Sequence, residues 1–376
     1  MKGQPFIPAL HGLRGIAALA VFLFHWNGFF PALNIEYRSI NALGLEWHPF
    51  RLIHFGWLGV SLFFILSGYL LGGQLKQKTL DFRTLSVYWS RRFLRIYPAV
   101  WFQMSLLLAL AALVAEVSVP ALSWAELLHN LALWIHLPPW MTRPVNGMWW
   151  TLPVELSFYI VLPAIILLQR RIGWPAVVLI GLAITFSWRA WMMSIYDGEH
   201  YARYIPVIDA LPGSLSAFVA GFALSFLTPS WGLARCTISL LIAIALFTSL
   251  QNVLVINAEA YWTGHWLFIV WKPAMELVLA LMMFILLHDT VLSRPLSSRV
   301  LVWLGEISFG IYLWHFPVQQ YLNTVYGEAW NTPLGSLLAL VTSLTATLIL
   351  AAVSFYAIER PVMGWGKRLN TTRPPA

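Results

Sequence analysis

Arg14 and His25 lie eleven residues apart in the first apolar segment of the chain, with His25 set among Phe22, Phe24 and Trp26. Eleven helical residues turn through about 1100°, only ~20° past three full turns. Both side chains therefore stand on one face, about 16 Å apart along the axis. An ionisable group at membrane depth is costly and marks a functional site by default. An arginine near one end and a histidine three turns deeper fit an anion held at one side and proton transfer further in. His11 extends the same polar stripe. A blander reading puts His11 and Arg14 in the headgroup zone, with Arg14 snorkelling to phosphate, and makes His25 a hydrogen bond between helices.

Further groups with chemical capacity recur along the chain. Arg91, Arg92 and Arg95 precede Tyr97-Pro98, and Arg92 and Arg95 are neighbours on one face if that stretch is helical. Forked guanidinium groups grip phosphate in pairs, which fits a phosphate-rich cofactor as well as a plain positive loop. Glu155 follows Trp150-Thr151-Leu152-Pro153-Val154, with Pro153 expected to free a backbone carbonyl inside the span. Its carboxylate fits a partner for His25, where bonding one ring nitrogen raises basicity at the other. The competing reading pairs Glu155 with Lys272 or Arg189. Ser308, Tyr312 and His315 fall at i, i+4 and i+7, one polar face of a helix. Lys272 and Glu276 form an i, i+4 pair that neutralises itself. Glu359-Arg360-Pro361 reads as a cap at the end of the last span.

The elements that must position these groups are apolar helices. Of 376 residues, 59% are hydrophobic and 10% charged, which excludes an ordinary soluble domain. The expectation is an all-α polytopic membrane protein, a bundle of about ten transmembrane helices. The spans are 9–30, 55–73, 97–117, 150–169, 174–195, 208–227, 236–256, 265–288, 301–324 and 335–357. Gly59, Ser61, Ser67 and Gly68 in the second span allow close helix approach. Of the 23 Lys and Arg, 16 fall on one set of span ends, which places both termini in the cytoplasm. That asymmetry accounts for the net charge of +8 without nucleic acid. The segment 123–140, with Leu127, Leu128, Leu131 and Trp134 at helical spacing, is expected to lie on the outer surface. The first span offers no small-residue cleavage site. Cys236 is the only cysteine, so no intrachain disulfide or cysteine metal cluster forms, and no metal is expected. The chain reads as one domain, 1–376, with its core at 9–361 and a cytoplasmic tail at 362–376.

Taken together, these motifs resemble the acyltransferase-3 family, integral membrane acyltransferases that modify cell-surface polysaccharides and some secreted small molecules. The match runs in order through Arg14 and His25; Phe63-Phe64-Ile65-Leu66-Ser67-Gly68-Tyr69; Arg92, Arg95 and Tyr97-Pro98; Trp150 to Glu155 with Phe158-Tyr159; Ser308, Tyr312, Leu313 and His315; and Ile358-Glu359-Arg360-Pro361. The resemblance implies acetyl-CoA or another acyl-CoA as donor, and an essential arginine and histidine on the first helix. No extracytoplasmic SGNH-type esterase domain follows the last span, so the chain reads as a stand-alone member. That leaves room for an extracytoplasmic partner protein.

The implied function moves an acyl group, acetyl by expectation, from cytoplasmic acyl-CoA to a hydroxyl of a cell-surface or exported glycan or lipid-linked saccharide. The setting is the lipid bilayer of a bacterial inner membrane. Arg92, Arg95 and Arg14 would hold the phosphates of the donor, and His25, Glu155 and Arg14 would serve catalysis. Trp150, Tyr312 and His315 would line the acceptor path. Direct transfer and an acyl-histidine both fit. A secondary transporter also places ionisable groups on polar faces inside the membrane, but the two halves lack matching broken segments. A receptor or scaffold explains the aromatic outer loops but not Arg14 with His25.

Overall fold

A computed structural model describes residues 7–33, 40–42, 45–47, 50–137, 141–228, 231–288 and 290–368. The end of the expected surface segment, 138–140, and the expected tail beyond 368 lie outside the described residues. Helix α1 is Pro8–Phe29, α2 Leu58–Leu75, α3 Phe82–Leu113 and the short α4 Trp124–Leu131. Helix α5 is Thr151–Ile172, α6 Trp174–Ile195, α7 Leu211–Leu224 and α8 Leu233–Ile256. Helix α9 is Leu267–His288, α10 Ser308–Tyr326 and α11 Pro333–Ser354. A π-helical turn, Phe355–Glu359, leads from α11 into α12, Arg360–Arg368. Short helical turns and one antiparallel pair of three-residue strands, Ile40–Ala42 and Leu45–Trp47, lie in the connections.

Among the described residues, eight helices are long and apolar enough to cross a membrane. The count is nine if Tyr201–Ile208 and Leu211–Leu224, bent by 62°, form one span. The remaining expected span, 301–324, divides at Ile307 into Arg299–Glu306 and α10. Helix α10 has 19 residues, but Ser308, Tyr312, His315 and Gln319 leave it too polar to join that set. The all-α polytopic architecture stands.

The chain forms two compact units. One comprises Met1–Leu13, Val60–Asp81 and Thr151–Val302; the other comprises Arg14–Gly59, Phe82–Trp150 and Trp303–Ala376. In the first, α7 is rich in Gly, Ala and Ser and buries almost its whole length. A Cβ added at Gly68 would meet the Phe218 carbonyl at 2.1 Å, and one at Gly221 the Ile65 carbonyl at 1.9 Å. Small residues on both helices therefore let α2 and α7 touch backbone to backbone. Phe218 stacks between Phe64 and Phe158, at centroid distances of 4.6 and 4.0 Å.

This unit also buries a charge cluster. Asp209 accepts from Arg189 and pairs with Lys272, both at 2.8 Å, and Lys272 lies 3.8 Å from Glu276. Ser61 and Ser216 donate to Glu276. The expected Lys272–Glu276 pair is thus part of a larger group, with Asp209 the closer anion. Two cations against two carboxylates leave it neutral, the condition for burying it at tolerable cost.

In the second unit, the C-terminal half of α1 packs against α10 and α11 through Phe22, Trp26, Phe30, Leu322 and Ala339. Trp26 Nε1 donates to the Ser336 carbonyl at 3.0 Å, and Ser336 Oγ to the Phe30 carbonyl at 2.6 Å. Helix α4 opens on a Ser123–Glu126 capping box, and Trp124 and Leu128 are exposed. It does not lie flat beyond the end of α3. Trp101 Nε1 donates to the Leu131 carbonyl at 2.9 Å and Tyr97 Oη to the Ala132 carbonyl at 3.0 Å. Those residues lie 12 and 16 positions back from Leu113, roughly 18–24 Å along α3. The segment folds back along α3, and the two aromatic donors take its last carbonyls, which water would otherwise have to satisfy.

Candidate active site

The second unit gathers most of the residues expected to do chemistry. On α1, Arg14 is half-buried, and its Nε and one terminal nitrogen each lie 3.4 Å from Ser308 Oγ. Ser308 Oγ itself donates to the Gly305 carbonyl at 2.9 Å, at the break before α10. Three turns further along α1, His25 Nδ1 lies 2.9 Å from the Val21 carbonyl and 3.3 Å from His315 Nε2. Phe24 and Phe316 stand edge-on to the His25 ring, at 5.0 and 5.5 Å. His25 is half-buried, whereas His315 is fully buried. The sequence placed these two histidines in one active region without linking them to each other.

The arginines are carried by one helix. α3 begins at Phe82, so Arg91, Arg92 and Arg95 belong to the helix that continues into the membrane span, with Arg92 and Arg95 a turn apart. Arg95 Nη1 lies 3.8 Å from Glu359 Oε2 and 3.3 Å from Met363 Sδ, and its guanidinium sits 5.6 Å above the Phe309 ring. Arg91 Nε donates to the Gly366 carbonyl at 3.2 Å. Glu359, expected to be a surface cap, is instead buried in the π-helical turn, where Ser354 Oγ donates to it at 3.3 Å. Arg95 is the cation that faces it. One carboxylate beside the arginines of α3 leaves the group net cationic.

A proline organises the far side of this unit. Pro317 lies inside α10 and has no N–H to give the Leu313 carbonyl one turn earlier. Gln103 Nε2 and Asn146 Nδ2 fill that vacancy at 2.6 and 2.9 Å. Trp149 Nε1 in turn donates to Gln103 Oε1 at 2.8 Å, and Tyr312 Oη to the Met148 carbonyl at 2.8 Å. The turn Gly147–Trp150 is therefore tied to α10 at several points, and Trp150 ends it. Gln103 and Asn146 were not singled out in the sequence. The signal that could have found them is Pro317, because a freed buried carbonyl calls for donors.

Glu155 belongs to the first unit. It is half-buried on α5, where Ser67 Oγ donates to Oε1 at 3.2 Å and the Tyr159 hydroxyl donates to the same oxygen. The alternative partners, Lys272 and Arg189, are engaged by Asp209. Pro153 does not free a helical carbonyl as expected. It sits in the first turn of α5, where a missing N–H leaves no helical bond unmade. Among the described residues no group of three or more His, Cys, Asp or Glu could hold a metal ion.

Apolar helices carrying ionisable side chains at membrane depth define a multi-pass membrane protein. The acyltransferase-domain model of the acyltransferase-3 family matches residues 7–352, and the chain belongs to that family. It is 25% identical to the peptidoglycan O-acetyltransferase OatA of Listeria monocytogenes, over 96% of this chain and 56% of that one. It is 28% identical to the putative peptidoglycan O-acetyltransferase YrhL of Bacillus subtilis, over 98% of this chain and 56% of that one. A putative O-acetyltransferase of Staphylococcus aureus is 25% identical, over 99% of this chain and 60% of that one. The chain thus spans a little over half the length of these relatives. No solved structure matches it.

Proposed function

We propose that the chain is a membrane O-acyltransferase that moves an acetyl group from cytoplasmic acetyl-CoA to a hydroxyl of a peptidoglycan-type or other exported glycan. The activities for which the relatives are named support the reaction class and the acceptor. The observation that carries the reading is the placement of Arg14 and His25 on one helix of one unit. At the basic end, Arg14 and Arg95 flank Ser308–Phe309, and Arg95 faces Glu359. About 16 Å along the axis, His25 presents a half-buried ring. A long donor with phosphates at one end and a thioester at the other fits that separation.

In this reading Arg92, Arg95 and Arg14 bind the donor phosphates from the cytoplasm by charge-assisted hydrogen bonds. His25 takes the proton of the acceptor hydroxyl as its oxygen attacks the thioester carbonyl; the carbon–sulfur bond breaks and the thiolate recovers the proton. Trp150 and Tyr312 border the acceptor. Glu155 is the catalytic carboxylate, accepting from the hydroxyls of Ser67 and Tyr159. The protein sits in a bacterial inner membrane with both termini cytoplasmic, as its charge asymmetry favours.

The test is direct: purified protein in nanodiscs with acetyl-labelled acetyl-CoA and muropeptide or glycan acceptors. Label passing to an acceptor hydroxyl, and lost in the His25→Ala variant, supports the reading. A protein that neither binds acetyl-CoA nor consumes the thioester overturns it. The transporter alternative rests on the buried cluster around Asp209, and that cluster is already neutral and internally paired.

A further inference from the structure

We infer that His315 is a positioning residue which fixes His25 as the Nδ1–H tautomer and accepts that Nδ1 proton in a hydrogen bond while His25 is charged. The argument begins with two carbonyls. A carbonyl oxygen can only accept, so a ring nitrogen at hydrogen-bond distance from one must carry a proton. His315 Nδ1 lies 3.0 Å from the Ile311 carbonyl, and His25 Nδ1 lies 2.9 Å from the Val21 carbonyl. Each histidine therefore bonds back to the carbonyl four residues earlier on its own helix, and each bears its proton on Nδ1. Turning either ring over would put a carbon against the carbonyl and lose the bond.

The direction of the remaining contact follows. With Nδ1 protonated, neutral His315 has a lone pair at Nε2, and that atom faces His25 Nδ1 at 3.3 Å. His25 donates; His315 accepts. The opposite direction would require His315 to be a cation, and its Nε2–H would then point at the N–H of His25. The His25 proton is shared between two acceptors, Val21 and His315.

What is left over is His25 Nε2. Among the described residues no hydrogen bond is made to it, and His25 is the half-buried member of the pair. A lone pair there is what a general base needs, and what an acyl-accepting nucleophile needs. When Nε2 takes the hydroxyl proton, His25 becomes an imidazolium whose Nδ1–H already points at two acceptors. His315 then does for His25 what a carboxylate does in a serine-protease triad, without a permanent charge at membrane depth. The Nδ1 proton stays in place throughout. The proton that moves goes from the acceptor oxygen to Nε2 and from Nε2 to the thiolate. Because His315 is fully buried with both ring nitrogens engaged by the protein, it acts through His25 and does not contact the acceptor, the role expected of it from sequence.

The chemical half of this inference rests on the acyltransferase reading; the tautomer does not. The experiment separates them. Full-length protein with nitrogen-15-labelled histidine is placed in nanodiscs, and the His25 resonances are assigned by their loss in His25→Ala. The expected spectrum at neutral pH shows His25 Nδ1 protonated and Nε2 unprotonated; the reverse assignment overturns the inference. Kinetics give the second readout. His315→Gln can present its amide oxygen near the lost Nε2 and should retain kcat within about tenfold. His315→Asn reaches only the Ile311 carbonyl, and His315→Phe reaches neither; both should lose about 10²-fold or more in kcat, with donor KM unchanged. Equal losses in all three variants, or a loss in KM alone, would make His315 a packing residue. If His315 variants do not fold, the wild-type spectrum decides. An Nδ1–H His25 in a protein that transfers no acyl group would leave the tautomer standing and overturn the proposed reaction.

Discussion

Arg95 and Glu359 face each other at 3.8 Å, with the arginine partly exposed and the carboxylate buried in a π-helical turn. The separation is longer than a hydrogen bond, so the guanidinium keeps donors for another anion. Arg92→Ala and Arg95→Ala should each raise the apparent KM for acetyl-CoA by roughly tenfold to a hundredfold. That range is one charge-assisted contact of about 1.5–3 kcal/mol. Lysine at either position should recover only part of the loss, because the paired fork is missing. Donor binding by the purified variants checks this, and alanine variants that bind as tightly as wild type would reduce both arginines to topology signals.

The buried cluster around Asp209 gives a stability prediction. Asp209→Asn removes the carboxylate shared by Arg189 and Lys272, both at 2.8 Å. Two buried cations would then face Glu276 alone, and breaking such a group by losing one partner costs about 3–5 kcal/mol. The variant should express poorly and melt at a lower temperature in detergent. Adding Lys272→Met should restore part of the loss, since the excess charge goes with it. An unchanged melting temperature for Asp209→Asn would show that the cluster contributes nothing to stability.

The cap of α4 supplies a pH dependence. Glu126 accepts from the Ser123 backbone N–H at 2.9 Å and from the Ser123 hydroxyl at 2.9 Å, which holds its carboxyl below the usual carboxylate range. A depressed folded-state value means the cap stabilises the helix fully above the ordinary carboxylate pKa of 4.5 and loses that contribution as pH falls through the lower, folded value. Amide protection over Ser123–Leu127, corrected for intrinsic exchange, should therefore fall between neutral pH and about pH 3. Glu126→Gln keeps an acceptor but cannot titrate, so its protection should be flat over that window. Equal loss in both proteins would place the pH sensitivity elsewhere.

Much of this was legible because it is local. The Arg14–His25 face follows from helical period, and Arg92 with Arg95 needed only a helix, which α3 provides. The pairing of His25 with His315 was not legible, since 290 residues separate them and periodicity says nothing about which helices meet. Glu359 looked like a cap because a carboxylate ends an apolar run; only the π-helical turn moves it inside. Pro153 and Pro317 show how position decides a proline's effect. In the first turn of α5 it is harmless, whereas inside α10 it frees a carbonyl that Gln103 and Asn146 take up. The fold-back of Leu131 and Ala132 onto Trp101 and Tyr97 likewise depends on donors distant in sequence.

The last prediction concerns His25 and Glu155 together. His25→Ala replaces a polar group with an apolar one in an apolar helix, so insertion and abundance should be unchanged. Donor binding should survive, because Arg14 stands about 16 Å away along α1 and Arg92 and Arg95 lie on another helix. Turnover should fall by roughly 10² to 10⁴, the range for losing a general base, and further if an acyl-histidine is obligatory. Glu155 belongs to the other compact unit, with its carboxylate held by Ser67 and Tyr159. Whether it acts through His25 is a question of coupling. If it does, Glu155→Gln should lower kcat in wild type and have no further effect in the His25→Ala background. Losses that multiply instead would give Glu155 an independent role. Turnover within tenfold of wild type for His25→Ala, at equal abundance in the membrane, would remove His25 from catalysis and leave it as a hydrogen bond between helices.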